Sequence, residues 1–547
     1  MPSVARAFSS SYLAREVIAR RFIAVDFRSP ADRVARVRTV AARPVDPALI
    51  AVLREQQDRL PASSARARNV DALSRGGAAV VATGQQVGLF LGPLYGLYKA
   101  ASAVAVARAL GQEAGVPCLP LFWLQTEDHD FAEIAGATIA GPDGRPARLA
   151  LEPTSEADPR TSIAHRRLGP EIGRLLAALA DLLPRGAAAD ETLSLLREHY
   201  VEGRPLAAAF AGVLAALFAE DGLLVLDPRD PRLARLAAPI YAKAIRDCDV
   251  IAASLESRRV ALAEAGFDEQ IPTRARCALV FFHRAGADGP RFRLERPSAD
   301  AWRLSGCDDT VDDGALADAL ARDPMRFSTS ALLRPIVQDT LLPVAAYVGG
   351  PAEVSYFAQL GPLYDHYGLT LPLVIPRARF RCVDARTRRL LDELHLSPAD
   401  LARPDVELAA RQTVARPADA PDPAALARRV ADEIAPAVDA IATAVESFAP
   451  ADRNLARAAA RTRAHVGRAL ARLTGRYTHL LAERDGVVLG RLARLRDALA
   501  PGGVPQERAY AWPSLAGRHG PLALKRLVLD GLAGDAVFST DEKELRP

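Results

Sequence analysis

The chain has 547 residues, half of them hydrophobic and a quarter charged, with a formal net charge of +4, the profile of a soluble globular protein with room for two to four structural units. The small basic excess is spread along the chain with no basic run interleaved with aromatics, which argues against a nucleic-acid partner. No apolar stretch reaches the ~18 residues of a membrane span, and the N-terminus lacks an uninterrupted signal-peptide core.

A cytoplasmic protein with no membrane contact is therefore expected. Cysteines 118, 248, 277, 307 and 382 are too irregularly spaced for a disulfide framework or a zinc site, and read as small buried hydrophobes.

Residues 1 to about 70 read as Arg-rich amphipathic helix broken by Pro30, Pro44, Pro47 and Pro61. From residue 78 short apolar runs alternate with helical spacing. Strands are predicted at 78–83, 118–125, 222–227, 277–282, 343–348 and 371–375, and helices at about 94–110, 190–220, 231–265 and 352–367. Continuous apolar strands alternating with helices predict an α/β fold, a Rossmann-like parallel-sheet core covered on both faces. Segments 141–190 and 285–330, rich in Pro, Gly, Asp and Arg, read as insertions into this core, which runs from 1 to 384.

Residues 385–500 read as a helical domain, and 501–547 as a C-terminal segment returning to the core. In the helical domain Val430, Ile434, Ala437, Ile441, Ala444 and Phe448 step by four and three. Val466, Leu470, Leu473, Tyr477 and Leu480 do the same, and Pro450 lies between the runs. This spacing suits either the seam of two antiparallel coiled-coil helices joined near 450–454 or an ordinary bundle core. Either invites self-association.

The apolar run Ala78–Ala82 feeds Thr83, Gly84, Gln85, Gln86, Val87 and Gly88, then Gly92, Tyr95 and Lys99. A glycine turn between strand and helix can offer backbone N–H groups to an anion, or it can be a tight structural turn. Lys99 adds weight to the first, because only four of the 70 basic residues are lysine. At the end of the next strand, Trp123 is followed by Glu127, Asp128, His129 and Asp130. Such a cluster suits general acid–base work, a divalent metal, or simply a solvated loop.

In a parallel sheet it would lie beside the glycine turn, at the carboxyl edge where ligands bind. Asp227 to Asp230, Gly349 and Gly350 with Glu353, Ser355 and Tyr356, and Pro376 with Arg377 arrive at the same edge. Ser328 to Ser330, Arg334 and Gln338 precede the Gly349 strand; Arg334 is either a clamp for carboxylate or phosphate or a plain salt-bridge arginine.

Taken together, Val81 through Tyr95, Phe122 through Phe131, Arg334 and Pro335 with Gln338, Tyr347 through Tyr356, Pro376 and Arg377, and Pro501 through Arg508 resemble the BshC family of cysteine ligases. The resemblance holds in order from roughly residue 69 to 530. It implies a Rossmann-like core with connecting-peptide insertions and a coiled-coil arm that forms a homodimer. The implied reaction is addition of L-cysteine to the amine of glucosaminyl-malate, the last step of bacillithiol synthesis.

Amide formation from a free carboxylate is uphill in water, so ATP with Mg2+ is the expected activator. The glycine turn would then face phosphate with Lys99 as a mobile cation, Glu127 to Asp130 would place the amine and take its proton or hold the metal, and Arg334 or Arg377 would bind the malate carboxylates. Two other readings of the same residues are a metal-dependent hydrolase on Glu127 to Asp130 and a nucleotide-sensing scaffold with no chemistry.

Overall fold

The computed structural model describes residues 6–153, 159–298, 301–403, 408, 423–448, 453–483 and 486–546. The chain forms two compact units, one made of the residues up to Cys382 with Glu507–Leu545, the other of Val383–Gln506.

The strands of the first unit, in chain order, are β1 (Ala79–Gln85), β2 (Cys118–Leu124), β3 (Gly136–Ala140), β4 (Pro146–Ala150), β5 (Leu224–Leu226), β6 (Cys277–His283), β7 (Arg291–Ser298), β8 (Ala301–Leu304), β9 (Thr310–Asp312), β10 (Phe327–Thr329), β11 (Val344–Gly349), β12 (Leu373–Pro376), β13 (Arg379–Cys382) and β14 (Glu542–Leu545). A five-stranded parallel sheet runs β12-β11-β1-β2-β5. Alternate side chains of β2 enter opposite cores, Leu119, Leu121 and Trp123 on one face and Phe122 and Leu124 on the other, so both faces are covered and the strand reads as continuously apolar. From β1 the chain builds outward to β2 and β5, then returns to the other side of β1 for β11 and β12. The order reverses between β1 and β11, where sheets of this kind open a ligand crevice beyond their carboxyl ends.

Two of the four prolines near the N-terminus start helices, while Pro44 and Pro61 lie in connecting segments. Pro30 and Pro47 open Pro30–Ala41 and Pro47–Asp58, capped by the Ser29 and Asp46 side chains, because the first helical turn needs no N–H there. The long helix Tyr95–Ala114 ends at Gly115 in the left-handed conformation, φ 66°.

One strand belongs elsewhere than its apolar run suggests. β6 lies in a separate antiparallel sheet, β10-β6-β7-β8-β9. Its Ala278, Val280 and Phe282 are buried while Cys277, Leu279 and Phe281 are half-buried along a cleft, so both faces are apolar although only one is core. Periodicity cannot separate that pattern from a buried parallel strand. The segment after Gln506 threads past the glycine loop, with Leu94 N–H donating to Tyr510 and Trp512 N–H to Gly92 carbonyl oxygens, and ends with β14 pairing parallel to β13.

The second unit is helical, with Ala435–Phe448 and Arg453–Glu483 as its arm. The turn expected around Pro450 lies outside the described residues. Ala442 and Ala459 are buried where these helices meet, and Arg463 pairs with Asp439 and Glu446 across them. The larger seam residues Ile441 and Leu473 stay 67% and 64% exposed.

Candidate active site

The carboxyl ends of β1, β2, β11 and β12 surround a cleft of about 600 Å³, a size suited to small-molecule ligands. Of the residues predicted from sequence, Gln85, Gln86, Tyr95, Lys99, Trp123, Glu127, Asp128, His129, Arg334, Gly350, Glu353, Tyr356 and Arg377 line it. Thr83, Gly84, Gly88, Gly92, Asp130, Gln338 and Gly349 stand behind that wall.

The glycines serve backbone packing. Gly84 is within β1, paired to Trp123, and a methyl group on it would sit 2.8 Å from the Trp123 carbonyl oxygen. One on Gly88 would sit 2.9 Å from the Cα of Gly92. The amides of Gly88, Leu91, Gly92, Leu94 and Gly96 all bond within the protein, Leu91 to the buried Tyr200 hydroxyl. These five amides of the loop are thus already satisfied, and Thr83 ties it to β11 by donating to the Val348 carbonyl at 2.8 Å.

Lys99 is likewise a fixed charge rather than a mobile one. It is 5% exposed, donates to the Gly84 carbonyl at 2.7 Å and pairs with Glu353 at 2.5 Å. Glu353 also accepts from Gly350 N–H at 2.7 Å and Tyr347 hydroxyl at 2.5 Å. Burial pushes its carboxyl up, but Lys99 and these donors outweigh that and hold it below the ordinary carboxylate value. Arg334 faces hydroxyls and an amide: Tyr356 at 2.7 Å, Tyr347 at 3.3 Å and Gln338 at 3.1 Å. Arg377 forms a buried fork with Glu507 at 2.6 and 2.8 Å.

The acidic loop after β2 is held from the antiparallel sheet. Glu127 Oε2 accepts from the Thr329 amide and hydroxyl. Asp128 accepts from Arg291 at 2.5 Å, Gln86 at 2.6 Å and His129 N–H at 2.7 Å. Burial pushes Asp128 up, and Arg291 with these donors brings it below its ordinary value. His129 is pulled down by burial and then by Arg291, with Asp128 and Asp130 opposing. Asp130 caps the short helix Phe131–Ile134, accepting from Glu133 N–H at 3.1 Å. Glu133 does reach the cleft, its carboxyl raised by partial burial and by Asp130.

Sequence reasoning missed Arg291 and Arg293 on β7, Arg274 and Glu133, all of which line the cleft, and Glu507, which fixes Arg377. In a chain with this much arginine no single one stands out. The available signal was the alternation Arg291-Phe292-Arg293-Leu294, a strand with an apolar face in the core and a basic face on the cleft. Arg274, Arg293 and Arg508 line the cleft without an ion pair among the described residues. No group of three or more His, Cys, Asp or Glu side chains among the described residues converges to hold a metal. No described helix is long and apolar enough to cross a membrane.

Residues 3–378 match the family model described as Bacillithiol biosynthesis BshC, N-terminal Rossmann-like domain, and residues 380–538 match Bacillithiol biosynthesis BshC, C-terminal coiled-coil domain. Similar proteins named "Putative cysteine ligase BshC" come from Salinibacter ruber, 31% identical over 92% of this chain and 90% of the relative, and Koribacter versatilis, 35% identical over 80% of each. A third, of the same name, from Prosthecochloris aestuarii, is 28% identical over 95% of this chain and 93% of its own length.

Proposed function

The chain belongs to the BshC family of bacillithiol biosynthesis, ligases that form a carbon–nitrogen bond, and from that premise we propose that its cleft joins the carboxylate of L-cysteine to the amine of glucosaminyl-malate. The observation that carries the substrate reading is the set of guanidinium groups without an ion pair among the described residues, Arg274, Arg293 and Arg508, on a cleft whose Lys99, Arg291 and Arg377 are neutralised by Glu353, Asp128 and Glu507. A malate group brings two carboxylates, each a planar match for a guanidinium fork.

ATP is the proposed co-substrate, supplying the leaving group that turns the cysteine carboxylate into an acyl donor. Its phosphates would meet these same arginines, since the amides of Gly88, Leu91, Gly92, Leu94 and Gly96 are already bonded, and Mg2+ would arrive with the nucleotide, since no group of three or more acidic, His or Cys side chains converges among the described residues. Within the cleft the chain's own residues bind and orient. Glu127, fixed through Oε2 by Thr329, makes no hydrogen bond through Oε1 to a described residue and is placed to take the proton that the amine loses. The buried Lys99–Glu353 pair and the Arg377–Glu507 fork hold the ends of β1, β11 and β12 in register, so the geometry is set before substrate arrives.

We further propose that the protein works in the cytoplasm and that the arm pairs two copies, which covers Ile441 and Leu473. Activation is tested with cysteine carrying 18O in its carboxylate. Label appearing in AMP or in inorganic phosphate, only when the sugar acceptor is turned over, supports the reading and identifies which phosphate bond breaks. Product formed with no label transfer under any nucleotide would remove ATP activation from the account.

A further inference from the structure

Arg291 reaches the acidic loop from β7, and one guanidinium grips two neighbouring side chains there. Its Nε–H donates to His129 Nδ1 at 2.8 Å while Nη2 holds Asp128 Oδ1 at 2.5 Å. A guanidinium keeps its protons and has no acceptor. The ring nitrogen that faces it must offer a lone pair, so neutral His129 carries its single ring proton on Nε2. The grip is well supported: Arg291 is 6% exposed and lies over the Phe281 ring, 4.3 Å from its centroid. Nε2 bonds to no described residue, and His129 lines the cleft.

Resting on the ligase reading, we propose that Arg291 is a positioning residue that locks His129 as the Nε2–H tautomer, so that the imidazole serves as a neutral hydrogen-bond donor and not as the base. The amine nitrogen adds to the activated carboxyl carbon, forming the C–N bond as the carbonyl π pair moves onto oxygen. His129 Nε2–H donates to that oxyanion. The amine proton passes to Glu127, and the oxyanion collapses with loss of the activating phosphate or AMP. A donor aimed at developing negative charge is worth most in a site that excludes water. Proton uptake by His129 would set a second cation against Arg291, with Arg160 adding to the repulsion and Asp128 and Asp130 offsetting part of it.

The tautomer is read directly from 15N spectra of histidine-labelled protein, with nine histidines to resolve and His129 assigned by its absence in His129→Gln. The expected wild-type spectrum shows an unprotonated Nδ1 and a protonated Nε2, and Arg291→Gln shifts the ring toward a mixture of both tautomers. A wild-type ring protonated on Nδ1, or one unchanged in folded Arg291→Gln, overturns the proposal.

Turnover supplies the second arm. The side-chain amide of His129→Gln can stand in for Nε2–H, so that variant keeps amide formation within roughly tenfold of wild type, while His129→Phe loses roughly 100- to 1000-fold, the range for one oxyanion donor. Equal loss in both variants overturns the donor role. The spectrum needs no turnover, so an Nε2–H tautomer in protein that makes no product supports the clamp and counts against the ligase reading alone.

Discussion

Asp339 lies fully behind the cleft wall, where it accepts from the Tyr364 hydroxyl at 2.5 Å and the Gln338 amide at 3.0 Å. Burial pushes its carboxyl up to about 6, with those two donors offsetting part of the rise. The folded protein therefore keeps a proton that the unfolded chain releases near pH 4, about the ordinary carboxylate value. Stability from this group is complete below that pH and is lost as pH rises through 6, by about 3 kcal/mol. Asp339→Asn, which cannot ionise, should flatten the urea midpoint between roughly pH 4 and 7; an unchanged pH slope would show that Asp339 is ionised throughout.

Glu353 is predicted to behave oppositely, as half of a buried pair. Glu353→Ala strands the Lys99 ammonium and should cost about 3–5 kcal/mol in urea unfolding, and Lys99→Ala added to it should cost less than the sum of the two. At this scale the sequence was legible where residue type is scarce, as with Lys99, and silent where it is common, as with Arg291. Even at Lys99, which lines the cleft, its ion pair could not be read, because a partner 254 positions away in the chain is invisible to spacing.

Elements decide which of these groups meet. Gly84 belongs to β1 because its neighbour on β2 is a carbonyl oxygen that any side chain would strike. Gly84→Ala is expected to lower stability by several kcal/mol, since neither central strand can move, and to blunt the cleft even where the protein still folds. A melting temperature within a degree of wild type would mean that the sheet opens there more easily than its packing suggests. The parallel strands were readable from continuous apolar runs bounded by polar ends. β6 was not, because half of its apolar residues line a cleft and only the fold reveals that a cleft is there. For the same reason the second sheet went unread, and with it Arg291, although Ser328 to Ser330 stood among the candidates.

Across the whole molecule, the helical arm is the part whose pattern and packing diverge. The four-three seam was plain in the sequence, yet Ala442 and Ala459 are buried between the helices while Ile441 and Leu473 face outward. Exposed seam residues in one chain are what a partner copy would cover. Ile441→Lys with Leu473→Lys should halve the mass measured by light scattering while leaving helix content unchanged, and an unchanged mass would remove the arm from the assembly.

Amide formation in the cleft is read by mass spectrometry of purified protein incubated with glucosaminyl-malate, cysteine, ATP and Mg2+. The predicted result is the cysteinyl amide of the sugar amine, absent when either substrate is left out and lost with Glu127→Gln. Sugar turnover without cysteine, or no amide under any nucleotide from protein that still binds the sugar, would contradict it.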